Sequence, residues 1–112
     1  MASGKLANGR LTANTVTAVY QVPSGKIVTF NMRIVNNDPT NPVAVRATIS
    51  AASAVQANGE FILPKDVPLP PASTQNSVAM LEDTALMASA GEFINLWTNG
   101  SAVDYRLFGF EK

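Results

Sequence analysis

Residues 27–35 read IVTFNMRIV, and apolar side chains occupy every second position of this stretch. The alternating apolar residues are Val28, Phe30, Met32 and Ile34. Successive side chains of a β-strand point to opposite faces, so these four share one face, while polar side chains such as Arg33 occupy the other. The stretch therefore predicts a β-strand with one buried face.

The neighbouring segments repeat this period of two. Residues 15–22 alternate in the same way, and residues 23–26, PSGK, favour a turn between the two strands. Together they predict a β-hairpin over residues 15–35. Residues 36–42, NNDPTNP, form the next turn, and the apolar residues of 43–49 alternate again. We expect a third strand of a meander there.

The middle of the chain has weaker patterns. Residues 51–57 favour either a short helical turn or a loop, because Ala and Gln form helices well and Asn58-Gly59 is a stop signal. Residues 60–63 are typical of a short strand. Residues 65–72 contain three prolines, and because proline cannot donate to a central ladder, this segment is expected at a sheet edge or in an extended crossover.

The last third carries the strongest turn signal. Asn99-Gly100 predicts a type I′ hairpin that joins a strand at 93–97 to one at 103–110. In the final strand, Phe108 and Phe110 make the otherwise polar side apolar near its end. Upstream, residues 78–81 and 85–87 flank a polar segment, 82–84, which is expected to be a solvated turn.

Seven or eight short strands separated by turn signals predict an all-β fold. We expect an antiparallel β-sandwich of immunoglobulin-like or jelly-roll type, with a small closed barrel as the alternative. The length of 112 residues fits one domain. Residues 15–112 are predicted to form that domain, and residues 1–14 to form an N-terminal arm that becomes ordered against a neighbouring subunit.

Composition narrows the function classes. The chain is 46% hydrophobic and 14% charged, with eight basic and eight acidic residues and neither Cys nor His. Thiolate chemistry, disulfides, Cys/His zinc sites and imidazole catalysis therefore require residues that the chain lacks. Basic residues form no run, which argues against binding to a nucleic acid backbone. Since no signal-peptide core or 18-residue apolar stretch is visible, we expect a soluble chain without a leader, a membrane partner or a cofactor.

The acidic residues suggest only a weak catalytic or metal site. Glu82 and Asp83, with Glu60, Asp66 or Glu92, could supply a carboxylate pair for glycoside hydrolysis or ligands for calcium. Adjacent acids on a strand point to opposite faces, however, and no Asp-rich calcium loop is present. We therefore assign no catalytic and no metal-binding residue.

Two surfaces are candidates for binding. Asn95, Trp97 and Asn99 combine an aromatic face with amide groups, as carbohydrate-binding β-sandwiches do. The competing interpretation is that the aromatic residues, Tyr20 and Phe30 among them, simply pack in the core, with Trp97 partly exposed.

The second candidate is a protein interface formed by the arm and the terminal strand. Its residues are Lys5, Leu6, Arg10, Leu11, Phe108 and Phe110. Arginines on the polar sides of strands are expected to form surface ion pairs of about 0–1 kcal/mol. The arginines concerned are Arg33, Arg46 and Arg106, and their expected partners are Asp38, Glu82 and Asp104.

Several segments carry a resemblance to a known group of proteins. They are GKLA at 4–7, TVTAVYQVPSGK at 15–26, IVNN at 34–37 and VDYRLFGFE at 103–111. The chain resembles small virion structural proteins of tailed bacteriophages, in which an x-Y-x-V-P-x-G hairpin precedes a strand ending in Asn and the chain finishes with Gly-Phe-Glu.

This resemblance implies a function without catalysis. It implies a β-sandwich that assembles symmetrically on the virion, as capsid decoration (cement) or as a neck or tail accessory such as a fibre piece, after production in the bacterial cytoplasm. The implied partners are further copies of the chain, with a trimer as the first guess, and a major capsid or neck/tail protein. A carbohydrate- or receptor-binding module of a tail fibre is the alternative, and a glycosidase using Glu82 or Glu92 ranks third.

Overall fold

The computed structural model describes residues 3–72 and 79–112, and over these ranges the regular secondary structure consists of β-strands, joined by turns and loops. The eight strands are β1 Ser3–Arg10, β2 Thr17–Gln21, β3 Val28–Asn36, β4 Val43–Ser50, β5 Val67–Leu69, β6 Met80–Ala88, β7 Phe93–Thr98 and β8 Val103–Glu111. Within the described ranges, no helix is long and apolar enough to cross a membrane.

The strands form two four-stranded antiparallel sheets packed face to face. Sheet A has the order β1-β8-β3-β6, and sheet B has the order β2-β7-β4-β5. Each strand pairs with its counterpart from the other end of the chain: β1 with β8, β2 with β7, β3 with β6, and β4 with β5. The β-sandwich is thus confirmed, and this pairing pattern is that of a jelly roll.

The predicted local hairpins are wrong. β2 and β3 lie in different sheets, as do β3 and β4, and β7 and β8. The turns between them carry the chain from one sheet to the other. A strand with alternating apolar residues buries one face, and it can do so in either of the two sheets of a sandwich. The pattern therefore predicts the strands but not the strands with which they pair.

Asn99-Gly100 illustrates this correction. Neither residue has the positive φ of a type I′ turn. The Asn99 side-chain oxygen instead accepts a hydrogen bond of 2.9 Å from the Ala44 amide. A Cβ on Gly100 would collide with Cγ1 of Val43. Glycine is thus required for close packing on β4, and the segment joins the two sheets.

The predicted N-terminal arm is also corrected, because residues 3–10 are a strand of the domain. β1 pairs with β8 of the same chain from Ser3 opposite Phe110 to Arg10 opposite Asp104. A bulge between Lys5 and Ala7 shifts the register. This bulge breaks the alternation by which the sequence pattern would reveal a strand.

The segment between β4 and β5 has little regular structure. Residues 51–57 contain turns and no helix, which leaves the loop of the two predicted alternatives. The strand predicted at 60–63 is reduced to one bridge between Phe61 and Thr48. The edge position predicted for the proline-rich segment is confirmed, since β5 is the outer strand of sheet B.

β6 differs from its prediction as well. It runs continuously through residues 82–84, where a turn was expected, while Val78 lies outside the described residues. Its register with β3 shifts between Phe30 and Met32, and Ala85 adopts a φ of 59°. The Asn31 side chain accepts a hydrogen bond of 3.0 Å from the Ala85 amide. A bulge thus interrupts this edge strand, a common protection against edge-to-edge pairing.

The core lies between the inner faces of the sheets. Its largest fully buried apolar side chains are Phe30, Met32 and Ile34 of β3, Ile94 and Leu96 of β7, and Leu107 of β8. Asn36 is the buried polar residue at the end of β3, and its amide nitrogen donates to the carbonyls of Asn41 and Pro70, each at 3.0 Å. Asn36 thereby ties sheet A to the loops around sheet B.

Tyr20 and Glu111 connect the two sheets at the opposite end. Tyr20 lies on β2 of sheet B, and its hydroxyl donates a hydrogen bond to the buried carboxylate of Glu111 on β8 of sheet A. Burial, and then this hydrogen bond, raise the pKa of Tyr20 above its ordinary value. The folded protein therefore holds the hydroxyl proton more tightly than the unfolded chain does.

This contact predicts a loss of stability at alkaline pH. The stabilisation is complete below the ordinary Tyr pKa of 10.0 and is lost as the pH rises above it. Chemical unfolding between pH 8 and 11 should show a smaller alkaline loss for Tyr20→Phe than for the wild type. Burial also raises the pKa of Tyr105, but both proteins retain that group. Identical pH dependence of the two proteins would contradict the assignment.

Candidate association surface

The outer face of sheet A brings together most of the predicted interface residues. Along β8 and β3, side chains alternate between the core and this face. The register sets the rows across the sheet, so that Thr29 lies between Phe110 on one side and Met87 on the other. Two rows further along, Arg33 lies between Arg106 and Glu82. The face therefore has two ends of different chemistry.

One end of this face is apolar. Met87 is 65% exposed, Ile27 49% and Phe110 43%, and the half-buried Phe108 lies on the same face of β8. Ile27 is held beside this row because its backbone exchanges hydrogen bonds with Lys112. We call Ile27, Met87, Phe108 and Phe110 the apolar end. Three of the four large exposed apolar side chains in the described residues gather here, and such clustering is typical of an association site.

The other end is charged, and two of its arginines have carboxylate partners. Arg10 Nε lies 2.7 Å from Asp104 Oδ1, and Arg33 Nη2 lies 2.7 Å from Glu82 Oε2. The hydrogen bond from Arg10 holds the pKa of the Asp104 carboxyl below its usual range, and a hydrogen bond from Asn37 acts in the same direction. These pairs fix their side chains across neighbouring strands.

Arg106 completes this end without such a partner. It is exposed on β8, and its register partner on β3 is another arginine, Arg33. Within residues 3–72 and 79–112, Arg106 has no ion pair. We call Arg10, Arg33 and Arg106 the basic end of the face. Of the three arginines expected to form ion pairs, Arg33 pairs with one of the expected acids, Glu82, whereas Arg46 pairs with Asp66 instead.

The six predicted interface residues separate into two groups. Lys5, Arg10, Phe108 and Phe110 all belong to the outer face of sheet A. The other two face inward: Leu11 is a buried core residue, and Leu6 packs against the core. Leu11 is therefore not available to a partner. The reason is that the chain turns into the sandwich directly after β1, where the Leu11 amide donates to Val103.

Asn95 is not part of an exposed ligand surface. Its side chain is fully buried on β7 and faces away from the core, beneath the loop of residues 51–57. Its amide nitrogen donates to Ser50 Oγ at 2.8 Å and to the Val55 carbonyl at 3.1 Å. Its oxygen accepts from the amide of Ala54, which has a φ of 58°. Asn95 thus anchors this loop over sheet B.

The other two residues of the predicted ligand surface have structural contacts as well. The Arg46 guanidinium lies 3.9 Å from the centroid of the Trp97 ring and 2.6 Å from the Asp66 carboxylate. Asn99 is exposed, but its side-chain oxygen is bonded to β4. A face of Trp97 that a sugar would stack on is therefore covered by a cation from the same sheet.

The acidic residues are not brought together. Glu82 and Asp66 pair with arginines on opposite sheets, and Glu92 accepts a hydrogen bond of 2.8 Å from the Ser89 amide. Glu60 accepts one of 3.0 Å from Ala57. Among the residues that the structure describes, no group of three or more acidic side chains could hold a metal ion.

An open groove of about 240 Å³ lies where three loops meet at one end of the sandwich. Asp38 lines it, and its carboxylate accepts hydrogen bonds from the backbone and side chains of Thr40 and Asn41. These bonds, led by that from the Thr40 amide, hold the pKa of Asp38 below its usual range. They stabilise the loop between β3 and β4.

In comparisons with known proteins, no family model, no curated protein and no solved structure matches this chain. The candidate surface therefore depends on the chain's own geometry. The sequence does not single out Ile27, Met87 or Arg106 as site residues. The alternating pattern of β8 indicates that Arg106 and Phe110 point to the same face. It does not reveal which strands pair with β8, and so it does not reveal the other residues of that face.

Proposed function

We propose that this chain is a non-catalytic structural protein of a tailed-bacteriophage virion. In this proposal it acts as capsid decoration or as a neck or tail accessory, by associating with its own copies and docking on another virion protein. The observation that carries the proposal is the apolar end, where Met87, Phe110 and Ile27 are exposed together on one sheet face. Exposed apolar side chains that share one face lower their free energy when a protein partner covers them.

Two further features support this proposal. The sequence segments that resemble phage virion proteins contribute part of β1, all of β2, the end of β3 and all of β8. Jelly rolls occur in viral capsid domains, although they also occur in lectins and cupins, so the fold alone does not select a function. The alternative of a sugar-binding tip module has less support, because Trp97 and Asn95 are engaged within sheet B.

Self-association should depend on the apolar end. We expect the purified protein to form a closed oligomer in light scattering over a concentration series. Met87→Gln, which places a polar group in the proposed contact, should raise the dissociation constant about tenfold, equivalent to about 1.4 kcal/mol. Met80→Gln is the matched control, because Met80 lies on the outer face of the same strand at the opposite end. Equal masses for all three proteins at every concentration would contradict self-association through this end.

The virion location has its own test. An antibody raised against the purified chain should label tailed particles that are recovered by density gradient from the culture whose DNA encodes the sequence. Electron microscopy would then show whether the label lies on the head, the neck or the tail. Particles that carry no label, with the antigen found only in the free protein fraction, would overturn the virion assignment.

A further inference from the structure

The outer face of sheet A has an excess of positive charge that the protein does not neutralise. Four cationic side chains lie on the outward rows of β1, β8 and β3, namely Lys5, Arg10, Arg33 and Arg106. Glu82 and Asp104 neutralise Arg33 and Arg10. Neither Lys5 nor Arg106 has an ion pair within the described ranges. The whole chain has no net charge, so this excess is a local property of one face.

Arg106 stands at the centre of this face. β8 is an inner strand of sheet A, flanked by β1 and β3, so Arg106 is approached from solvent and not from an edge. Its register partner Arg33 is bound by Glu82 through two nitrogen atoms, Nε at 3.1 Å and Nη2 at 2.7 Å. Like charges directly opposite each other in a sheet are destabilising. Glu82 compensates Arg33 in this row, so Arg106 is the cation that is left for an anion from outside.

Apolar groups continue from this charged centre. The Arg33 guanidinium lies 6.0 Å from the centroid of the Phe108 ring, so the basic end and the apolar end are adjacent. A partner that covers Phe108 and Phe110 would also exclude water from Arg106. Arginine and aromatic residues that are desolvated together dominate the binding energy of many protein interfaces.

We propose that the outer face of sheet A docks an acidic protein partner, whose carboxylate binds Arg106 while its apolar side chains displace a second copy of the chain from the apolar end. This proposal rests on the proposed function and specifies the chemistry of the virion protein on which the chain docks. A second copy is disfavoured at the basic end, because two such faces would oppose like charges. A nucleic acid is disfavoured because Glu82 and Asp104 interrupt the cations and because the exposed side chains at the other end of the face are apolar.

The test uses a synthetic peptide of three Glu-Glu-Phe repeats as the acidic partner. In titrations followed by amide chemical shifts, it should perturb β8 and β3 and leave sheet B unchanged. Arg106→Gln should weaken binding about tenfold, because a charge-assisted hydrogen bond to carboxylate is lost. Lys65→Gln is the control, since it removes one exposed positive charge outside sheet A and should change affinity less than about twofold. Arg106→Lys keeps the charge and loses the planar guanidinium. The affinity of this variant for the peptide should lie between the affinities of the Arg106→Gln and Lys65→Gln proteins.

Three results would overturn the proposal. They are equal affinities for the Arg106→Gln and Lys65→Gln proteins, shifts that map to sheet B, and tighter binding of a twenty-residue oligothymidine than of the peptide. The two substitutions are exposed, and matching spectra of the unbound variants would establish that both fold. The peptide assay uses no phage particles. Labelled particles without peptide binding would therefore refute this docking chemistry alone, whereas peptide binding without labelled particles would refute the virion assignment alone.

Discussion

The pairing of β8 with β3 is the constraint on which the rest of this structure depends. It extends over nine residue pairs, from Val28 opposite Glu111 to Asn36 opposite Val103. The two strands lie so close that a Cβ on Gly109 would collide with the Thr29 carbonyl oxygen, which explains why glycine occupies this position. Because β8 also pairs with β1, one strand joins the first segment of the chain to the middle of sheet A. A jelly roll requires this return of the chain end to its beginning.

The same register determines both faces of sheet A. Inward, it places Leu107 beside Met32 in the core and Glu111 within reach of Tyr20 on the other sheet. Outward, it places Arg106 beside Arg33, and Phe110 in line with Met87 through the β3 residue between them. A slip of one residue would exchange the two faces and bury the arginine. The core therefore enforces the composition of the surface that we propose as the docking site.

The sequence predicts the strands better than their partners. The period of two in β3, β4 and β8 follows directly from burial of one face, so these strands could be recognised. Their pairing could not, because Asn99-Gly100 and residues 23–26 have the composition of hairpin turns but connect the two sheets. β1 escaped prediction because of its bulge. For the candidate site, Phe108 and Phe110 were predictable from the apolar end of β8. Met87 and Arg106 belong to the site only because strands that are distant in sequence pair with β3. Asn95 is a residue type that often binds ligands, but in this protein it is buried and anchors a loop.

The most direct test of this account is a set of cross-strand nuclear Overhauser effects between backbone protons of the isotope-labelled protein. The register of β3 with β8 predicts contacts between Arg33 and Arg106 and between Thr29 and Phe110. Contacts between β2 and β3, or between β7 and β8, would instead reveal sequential hairpins. Such a result would contradict the jelly-roll pairing and separate the arginines and aromatic residues of the proposed docking face.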